Sequence, residues 1–181
     1  MARVDPGGVK CAVLLLAVAA LFPGGNELGR ARLALEAGSA DLVVGGAVRS
    51  LTRRSPPETL PADAYLEAGA SSRLTLRWPE AASLTLTGPA ALELAPGPRL
   101  TLVRCRTAEL EVRRGQLRLE LPGCGSLALE AGAVGLSSLP DGRVELTNRG
   151  GSPLVVRAAG EPAPRRLAPG RTLRLGARPR P

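Results

Sequence analysis

The chain has 181 residues and a formal net charge of +8, and it contains no histidine and only one Trp, one Tyr and one Phe. This length allows one domain of ordinary size beside a targeting segment and leaves little room for a second. The missing histidine excludes the usual catalytic triads and the commonest zinc ligand. Because aromatic residues are so few, the core must consist of Leu, Val and Ala, and no platform for stacking nucleic-acid bases is expected.

Residues 1–25 have the pattern of a secretory signal. Arg3 and Lys10 precede an uncharged apolar block at residues 11–22, and the helix-breaking sequence PGG follows it. This is the order of a signal peptide, and the block is shorter than the about 20 apolar residues of a membrane-spanning helix. We therefore expect an exported protein of the periplasm or cell envelope. Residues 1–25 are either a signal peptide or a short membrane anchor helix, which is the only membrane contact expected.

Residues 26–41 predict a short helix or an extended lead-in to the following domain. Leu28, Ala31 and Leu35 lie at helical spacing, with an Asn before them and a Gly after them that suit the ends of a helix. The competing interpretation is an extended segment without helical structure.

Residues 42–175 predict an all-β domain of many short strands. Leu or Val alternates mostly with Thr, Glu or Arg in short stretches that Gly or Pro interrupts, at residues 74–76, 84–86, 92–94, 100–102, 110–112, 117–121, 127–129, 144–146 and 173–175. Since side chains on a strand point alternately to opposite faces, each strand is expected to bury one face. The spacing of about 8–12 residues is typical of a β-solenoid or a small β-sandwich, and the lack of aromatic residues favours thin stacked layers.

Two further predictions concern the turns and the C-terminus. Asp141-Gly142 has the sequence of a two-residue type I′ hairpin turn, in which both central residues take positive φ. Residues 176–181 predict a disordered tail.

Several of these stretches resemble the FecR-type extracytoplasmic β domain. A lead-in with an alternating strand is LEAGASSRLTL (66–76), and a second strand with a Gly-Pro-Ala step is SLTLTGPAALEL (83–94). A Gly turn between strands is VRRGQL (112–117), and the closing pattern consists of VEL (144–146) and RRLAPGRTL (165–173). The resemblance covers residues 42–175. It implies that the chain is an extracytoplasmic β module of a FecR domain-containing protein that acts in protein interaction or signalling.

Two stretches depart from the family pattern. AGAVGLSS at residues 131–138 lacks the Thr and Phe that the family carries there, and Trp78-Pro79-Glu80-Ala81 replaces the usual Asp-Gly turn. Because only ten residues precede the apolar block, we expect the extracytoplasmic module alone rather than a complete transmembrane regulator.

Two cysteines in the predicted β domain have a simple interpretation if the chain is exported. Cys105 follows one predicted strand and Cys124 lies in the turn after another. In an oxidising compartment they are candidates for a disulfide, which would stabilise the fold by roughly 3 kcal/mol. The alternative is two unpaired thiols.

The candidate interaction residues are one tryptophan and two pairs of arginines. Trp78, beside Pro79 at the end of a predicted strand, is a ligand platform, an interface anchor or a plug at the end of the core. The arginines are either a site for an anionic polymer or ordinary solvated charges; they are Arg73, Arg77, Arg113 and Arg114.

The composition predicts a non-enzymatic protein without metal or cofactor. The carboxylates on predicted strands are interpreted as the solvated face of the sheet, where they oppose arginines; they are Glu93, Glu109, Glu111, Glu120, Glu130 and Glu145. The leading function is recognition of another envelope protein through an edge strand or a sheet face. The alternative is an Arg-rich module that binds anionic polysaccharide or lipid headgroups. A nucleic-acid partner is not expected.

Overall fold

The computed structural model describes residues 30–176, and within this range the chain forms seventeen strands and no helix. The strands are β1 (Arg32–Ala37), β2 (Ser39–Val44), β3 (Ala47–Thr52), β4 (Glu58–Thr59), β5 (Tyr65–Ala68), β6 (Arg73–Trp78), β7 (Ala82–Thr87), β8 (Ala90–Ala95), β9 (Arg99–Arg104), β10 (Thr107–Val112), β11 (Leu117–Leu121), β12 (Gly125–Leu129), β13 (Gly132–Ser138), β14 (Val144–Asn148), β15 (Leu154–Ala158), β16 (Arg165–Leu167) and β17 (Thr172–Leu175). The all-β prediction is confirmed.

The strands form two open sheets in which the spatial order follows the chain closely. The first sheet has eight strands in the order β17-β14-β13-β10-β7-β6-β1-β4, and the second has nine in the order β16-β15-β12-β11-β9-β8-β5-β2-β3. The chain crosses between the sheets after every one or two strands. Within residues 30–176 all strand pairs are antiparallel except β9 with β11. The structure therefore shows two many-stranded sheets and does not show a solenoid.

Both sheets contribute to one hydrophobic core, as in a β-sandwich. In β10, for example, Ala108, Leu110 and Val112 are buried while Glu109 and Glu111 are exposed. The same alternation places Leu, Val and Ala of the other strands between the sheets, with Trp78 as their aromatic member. The Leu-rich stretches in the sequence thus mark strands that bury one face.

A buried serine joins three segments near the N-terminal end of the sheets. The Ser72 hydroxyl donates to the Ser39 carbonyl at 2.5 Å and accepts from the Ser39 N–H at 3.1 Å. The Ser72 carbonyl accepts from the Gly88 N–H at 2.8 Å, where the chain crosses from β7 to β8. Gly38 lies so close that a Cβ there would be 2.4 Å from the Ser72 Oγ. These contacts fix the start of β2 against the crossover.

The described part of the predicted N-terminal helix is instead a strand. Arg32–Ala37 forms β1, in which Leu33 and Leu35 are buried and which pairs with β6. The period of two between these leucines therefore describes the segment better than the helical spacing of Ala31 and Leu35, because pairing with β6 buries one face. The alternative of an extended segment fits, and the sheet begins at Arg32 rather than at residue 42.

The turn at Asp141-Gly142 also differs from the prediction. Gly142 has φ of 79°, but Asp141 is not among the residues with positive φ, so the turn is not type I′. The Gly142 N–H donates to the Leu139 carbonyl at 3.0 Å and the Leu139 N–H donates to the Arg143 carbonyl at 2.8 Å. Pro140 at the second turn position favours this longer loop, which ends in a left-handed glycine.

The predictions for residues 1–25 and for the tail at 177–181 lie outside the described residues. Among residues 30–176 we find no helix long and apolar enough to cross a membrane.

Candidate functional site

The six-residue strand β3 lies at an outer edge of the second sheet. It pairs with β2 on one side, and no strand in the described range lies on its other side. Its residues are exposed except Leu51. A strand at a sheet edge presents unpaired backbone N–H and C=O groups, with which another extended chain can pair.

The turn before β3 determines which backbone groups face outward. Gly45 and Gly46 have φ of 56° and 81°, as a two-residue type I′ turn requires. In such a hairpin the residues next to the turn, Val44 and Ala47, form a hydrogen-bonded pair. The alternation then directs the N–H and C=O groups of Val48, Ser50 and Thr52 away from β2.

Two observations agree with this assignment. Thr52 donates its N–H to the Ser55 Oγ at 3.0 Å, and its carbonyl accepts from the Ser55 N–H at 2.9 Å, so both its groups point away from β2. On the other side of the hairpin, the Ser39 carbonyl accepts from Gly69 at 3.1 Å, as the same alternation requires. Val48 and Ser50 therefore carry the open backbone groups of this edge.

An apolar row on the outer face of the second sheet reaches this edge. Val48 is 68% exposed, Val43 lies opposite it on β2, and Tyr65 lies opposite Val43 on β5. Both Val43 and Tyr65 are partly exposed. Beside this row the Ser50 hydroxyl donates to the Asp41 carboxylate at 2.6 Å. An added strand would extend this row of side chains.

An ion pair joins the β3 edge to the first sheet. The Arg49 guanidinium bonds the Glu58 carboxylate of β4, which is the outermost strand of the first sheet. The other carboxylate oxygen of Glu58 is buried and has no hydrogen-bond partner within the described residues. A charge that points inward at an edge hinders its pairing with other sheet edges.

The other edges are shorter. β4 has two residues and lies between Pro57 and Pro61, and β16 has three and lies between Pro164 and Pro169. β17 has four residues. Short edge strands and flanking prolines both hinder the addition of another strand.

Trp78 lies at the end of β6, in the wall of a cavity between the sheets. It is 6% exposed and belongs to the core. Besides packing in the core it borders a cavity of about 370 Å³; a role as an interface anchor stays a prediction.

Three of the four candidate arginines lie near the Trp78 end of the sheets. Arg77 precedes Trp78, while the backbone N–H groups of Arg113 and Arg114 donate to the Ala81 carbonyl, at 2.8 and 3.2 Å, in the turn after Trp78. Arg73 lies at the other end of β6 and pairs with Glu36 at 3.0 Å. The structure therefore separates Arg73 from the other three.

Most strand carboxylates belong to exposed ion pairs. The side-chain contact of Arg113 holds the pKa of Glu111 below its usual range, and Arg143 lowers the pKa of Asp141 in the same way. Further pairs join Glu120 to Arg118, and strand residues to loops or neighbouring strands, as in Glu109 with Arg149 and Glu145 with Arg174. No cluster of metal-ligating side chains occurs in residues 30–176.

Cys105 and Cys124, the candidates for a disulfide, are both buried free thiols in this structure. Burial raises the pKa of the Cys105 thiol, and a hydrogen bond with Ser138 partly offsets this effect. Cys124 packs near Gly176, at which a Cβ would lie 3.2 Å from the Cys124 sulfur. Each thiol thus has its own packing environment, and a raised pKa makes Cys105 a poor nucleophile.

Residues 30–176 define a class: an all-β fold of two open sheets with one exposed six-residue edge strand in that range. No protein-family model, curated protein or solved structure matches this chain. The FecR-type resemblance therefore stays a prediction from the residues.

Sequence reasoning did not identify β3 as the site. The GG sequence at residues 45–46, between two stretches that contain valines, is the signal that indicates a hairpin. That one strand of this hairpin is a sheet edge follows only from the pairing of β2 with β5.

Proposed function

We propose that this chain is a non-enzymatic, exported, FecR-like β module that binds a partner protein of the bacterial envelope. The partner adds an extended segment to β3. The observation that carries the proposal is that Val48 and Ser50 present open backbone groups on a six-residue edge beside an exposed apolar row. Backbone hydrogen bonds supply affinity in this mode, and side chains on alternate positions supply specificity.

The side chains around β3 define the partner segment further. An apolar residue placed opposite Val48 would continue the row through Val43 and Tyr65. Arg53 and Arg54, which follow the strand, are exposed and have no carboxylate partner within residues 30–176. A segment that combines a β-branched or aromatic residue with a nearby acidic residue is therefore the best complement.

Site-specific photocrosslinking in the producing cell tests this proposal. A photoreactive residue at position 48 should give one dominant protein adduct, and the substitution Ser50→Pro should remove it. Ser50 directs its N–H away from β2, so this change removes an outward donor and leaves the β2 ladder intact.

Val155 provides the matched control for Val48. It is 46% exposed on β15 of the same sheet, and a photoreactive residue there should not give the adduct. Equal adducts from both positions, or an unchanged adduct in a folded Ser50→Pro variant, would contradict binding at β3.

Export is tested separately with C-terminal reporters. Alkaline phosphatase fused after residue 181 should be active, because the enzyme needs an oxidising compartment. A cytosolic fluorescent reporter that is bright while the phosphatase is inactive would contradict the envelope location.

The second candidate, an Arg-rich module for anionic polysaccharide or lipid headgroups, is less favoured. Nine arginines of residues 30–176 pair with carboxylates, which reduces the positive charge available to hold a polyanion. Salt distinguishes the candidates: a polymer held by charges loses most of its affinity between low and moderate salt, whereas strand addition with an apolar row does not.

A further inference from the structure

The cavity beside Trp78 is a separate feature from the β3 edge. It opens at the end of the sheets where β6 ends, and its volume of about 370 Å³ lies within the usual range for small-molecule sites, about 300–1,000 Å³. The first sheet contributes Trp78 to its wall, and the second contributes Leu94, Leu100 and Leu117.

Leucines and Trp78 form much of the inner wall of the cavity. Leu60, Leu100 and Leu117 are at most 1% exposed, and Leu94 and Trp78 are at most 7% exposed. The leucines offer no hydrogen-bonding atoms, and Trp78 offers only its indole N–H. A polar ligand would therefore lose hydrogen bonds to water here, whereas an alkyl chain has none to lose.

The mouth of the cavity carries positive charge. Arg30 and Arg99 line it, and neither has a carboxylate partner within residues 30–176. No Asp or Glu lines the cavity. The acidic residues directly beside lining residues in the sequence are Asp63, after Ala62, and Glu93, before Leu94 on β8. An anionic group at the mouth would therefore meet two guanidinium groups that are free to bind it.

We propose that this cavity binds a free single-chain amphiphile with an unbranched apolar tail and one carboxylate. The tail lies against Leu100, Leu117 and Trp78, and the carboxylate lies at the mouth between Arg30 and Arg99. The proposal does not depend on the function assigned to β3, because the cavity and the β3 edge use different residues.

Trp78 reports on this site directly, since it is the one tryptophan of the chain. Decanoate, added to the full chain below its micellar concentration, should change Trp78 fluorescence in a saturable way. Across octanoate and decanoate the affinity should rise about fourfold for each added methylene, as expected for burial of a hydrocarbon chain. Decanol should bind more weakly than decanoate.

Variants separate the charge from the apolar wall. Arg99→Ala should weaken decanoate about tenfold and leave decanol unchanged, because it removes a charge-assisted contact. Arg157→Ala, at an exposed arginine on β15 that does not line the cavity, is the matched control. Ala62→Phe and Ala95→Phe each place a ring at a lining position that is not fully buried, and either should abolish the fluorescence change.

The outcomes are distinct. Saturable binding that Arg99→Ala weakens and either blocking variant removes supports the site. No saturable change in the wild type, equal affinity for decanoate and decanol, or full binding in both folded blocking variants overturns it. Val48→Lys, on β3 and outside the cavity, should leave decanoate binding unchanged. Because the two sites share no residues, a negative result for decanoate does not count against strand addition at β3.

Discussion

The two edges of the second sheet, β16 and β3, differ in length and in the residues around them. At the C-terminal end, the short strand β16 is flanked by prolines, and the buried side chain of Asn148 on β14 bonds the segments around it. At the N-terminal end, β3 is twice as long as β16, and its one inward charge, Arg49, is neutralised by Glu58. The comparison shows that the β16 edge is protected by its shortness, whereas the β3 edge stays available for pairing and carries only the Arg49–Glu58 ion pair on its inner face.

The C-terminal end depends most on Asn148, and its substitution should have the largest effect on stability. Its Nδ2 donates to the carbonyls of Ser152 and Leu167, both at 2.9 Å, and its Oδ1 accepts from the Gly150 N–H at 2.9 Å. Asn148→Leu leaves these groups unpaired, so we expect a loss of about 3–5 kcal/mol in the free energy of unfolding.

Urea unfolding measures this loss. Thr147→Val, at the neighbouring and less buried position, should stay within about 0.5 kcal/mol. A loss below about 1 kcal/mol for Asn148→Leu would mean that the C-terminal end is held by its strands alone.

Gly38→Ala should produce the next largest effect, at the N-terminal end. Gly38 has φ of 75°, and an added Cβ would lie 2.4 Å from the Ser72 Oγ. Strain and overpacking together should cost about 2–4 kcal/mol. Gly46→Ala separates the two causes, because Gly46 has φ of 81° and nothing within 4 Å; it should cost about 1 kcal/mol. Equal losses would show that contact with Ser72 is unimportant.

Arg49→Ala removes the ion pair between Arg49 and Glu58 at the β3 edge. Arg49 is 63% exposed in its side chain, so screening limits the expected loss to about 1 kcal/mol. Arg104→Ala is the matched control, since Arg104 pairs with the more exposed Glu67 on the outer face and should change stability by less than about 0.5 kcal/mol. If both changes cost the same, the inward position of Arg49 has no special role.

Hydrogen exchange of the β3 amides resolves the open edge residue by residue. The N–H groups of Val48 and Ser50 should exchange fast because they face outward, whereas those of Arg49 and Leu51 should be protected by β2. Protection of Val48 in the isolated protein would reverse the assignment and place the open groups on the alternate residues.

The smallest expected effect concerns Asp141, in the loop between β13 and β14. Arg143 lowers the pKa of the Asp141 carboxyl in the folded protein, so the stabilisation is present above its unfolded pKa of about 3.9 and is lost as the pH falls through the folded value. Carboxyl NMR titration should show the lowered pKa, and Arg143→Ala should return it to the ordinary range. An unchanged pKa in that variant would contradict the pairing.

The alternation of leucines predicts most of the fold because burial on one face requires it. Leu84 and Leu86, for example, are predicted on a strand and lie fully buried in β7. The same pattern leaves β1 ambiguous, since Leu33 and Leu35 share the segment with residues at helical spacing. The choice between helix and strand in this segment is settled by pairing with β6.

The β3 site is less predictable because it depends on the lack of a neighbouring strand on one side of β3 within residues 30–176. Val48 and Ser50 have no unusual sequence, and their open backbone groups follow from the position of β3 in the sheet order. Trp78 is easily identified as a single tryptophan, but its cavity needs residues from five separate segments. Cys105 and Cys124 are free thiols in this structure, which is the alternative that the sequence left open, because sequence separation alone does not determine whether two cysteines can pair.

The strands lie in each sheet in nearly the same order as in the sequence, and this has a consequence for folding during synthesis. Each new strand pairs with one made shortly before it, so a polypeptide that emerges N-terminus first can add layers without waiting for its last residues.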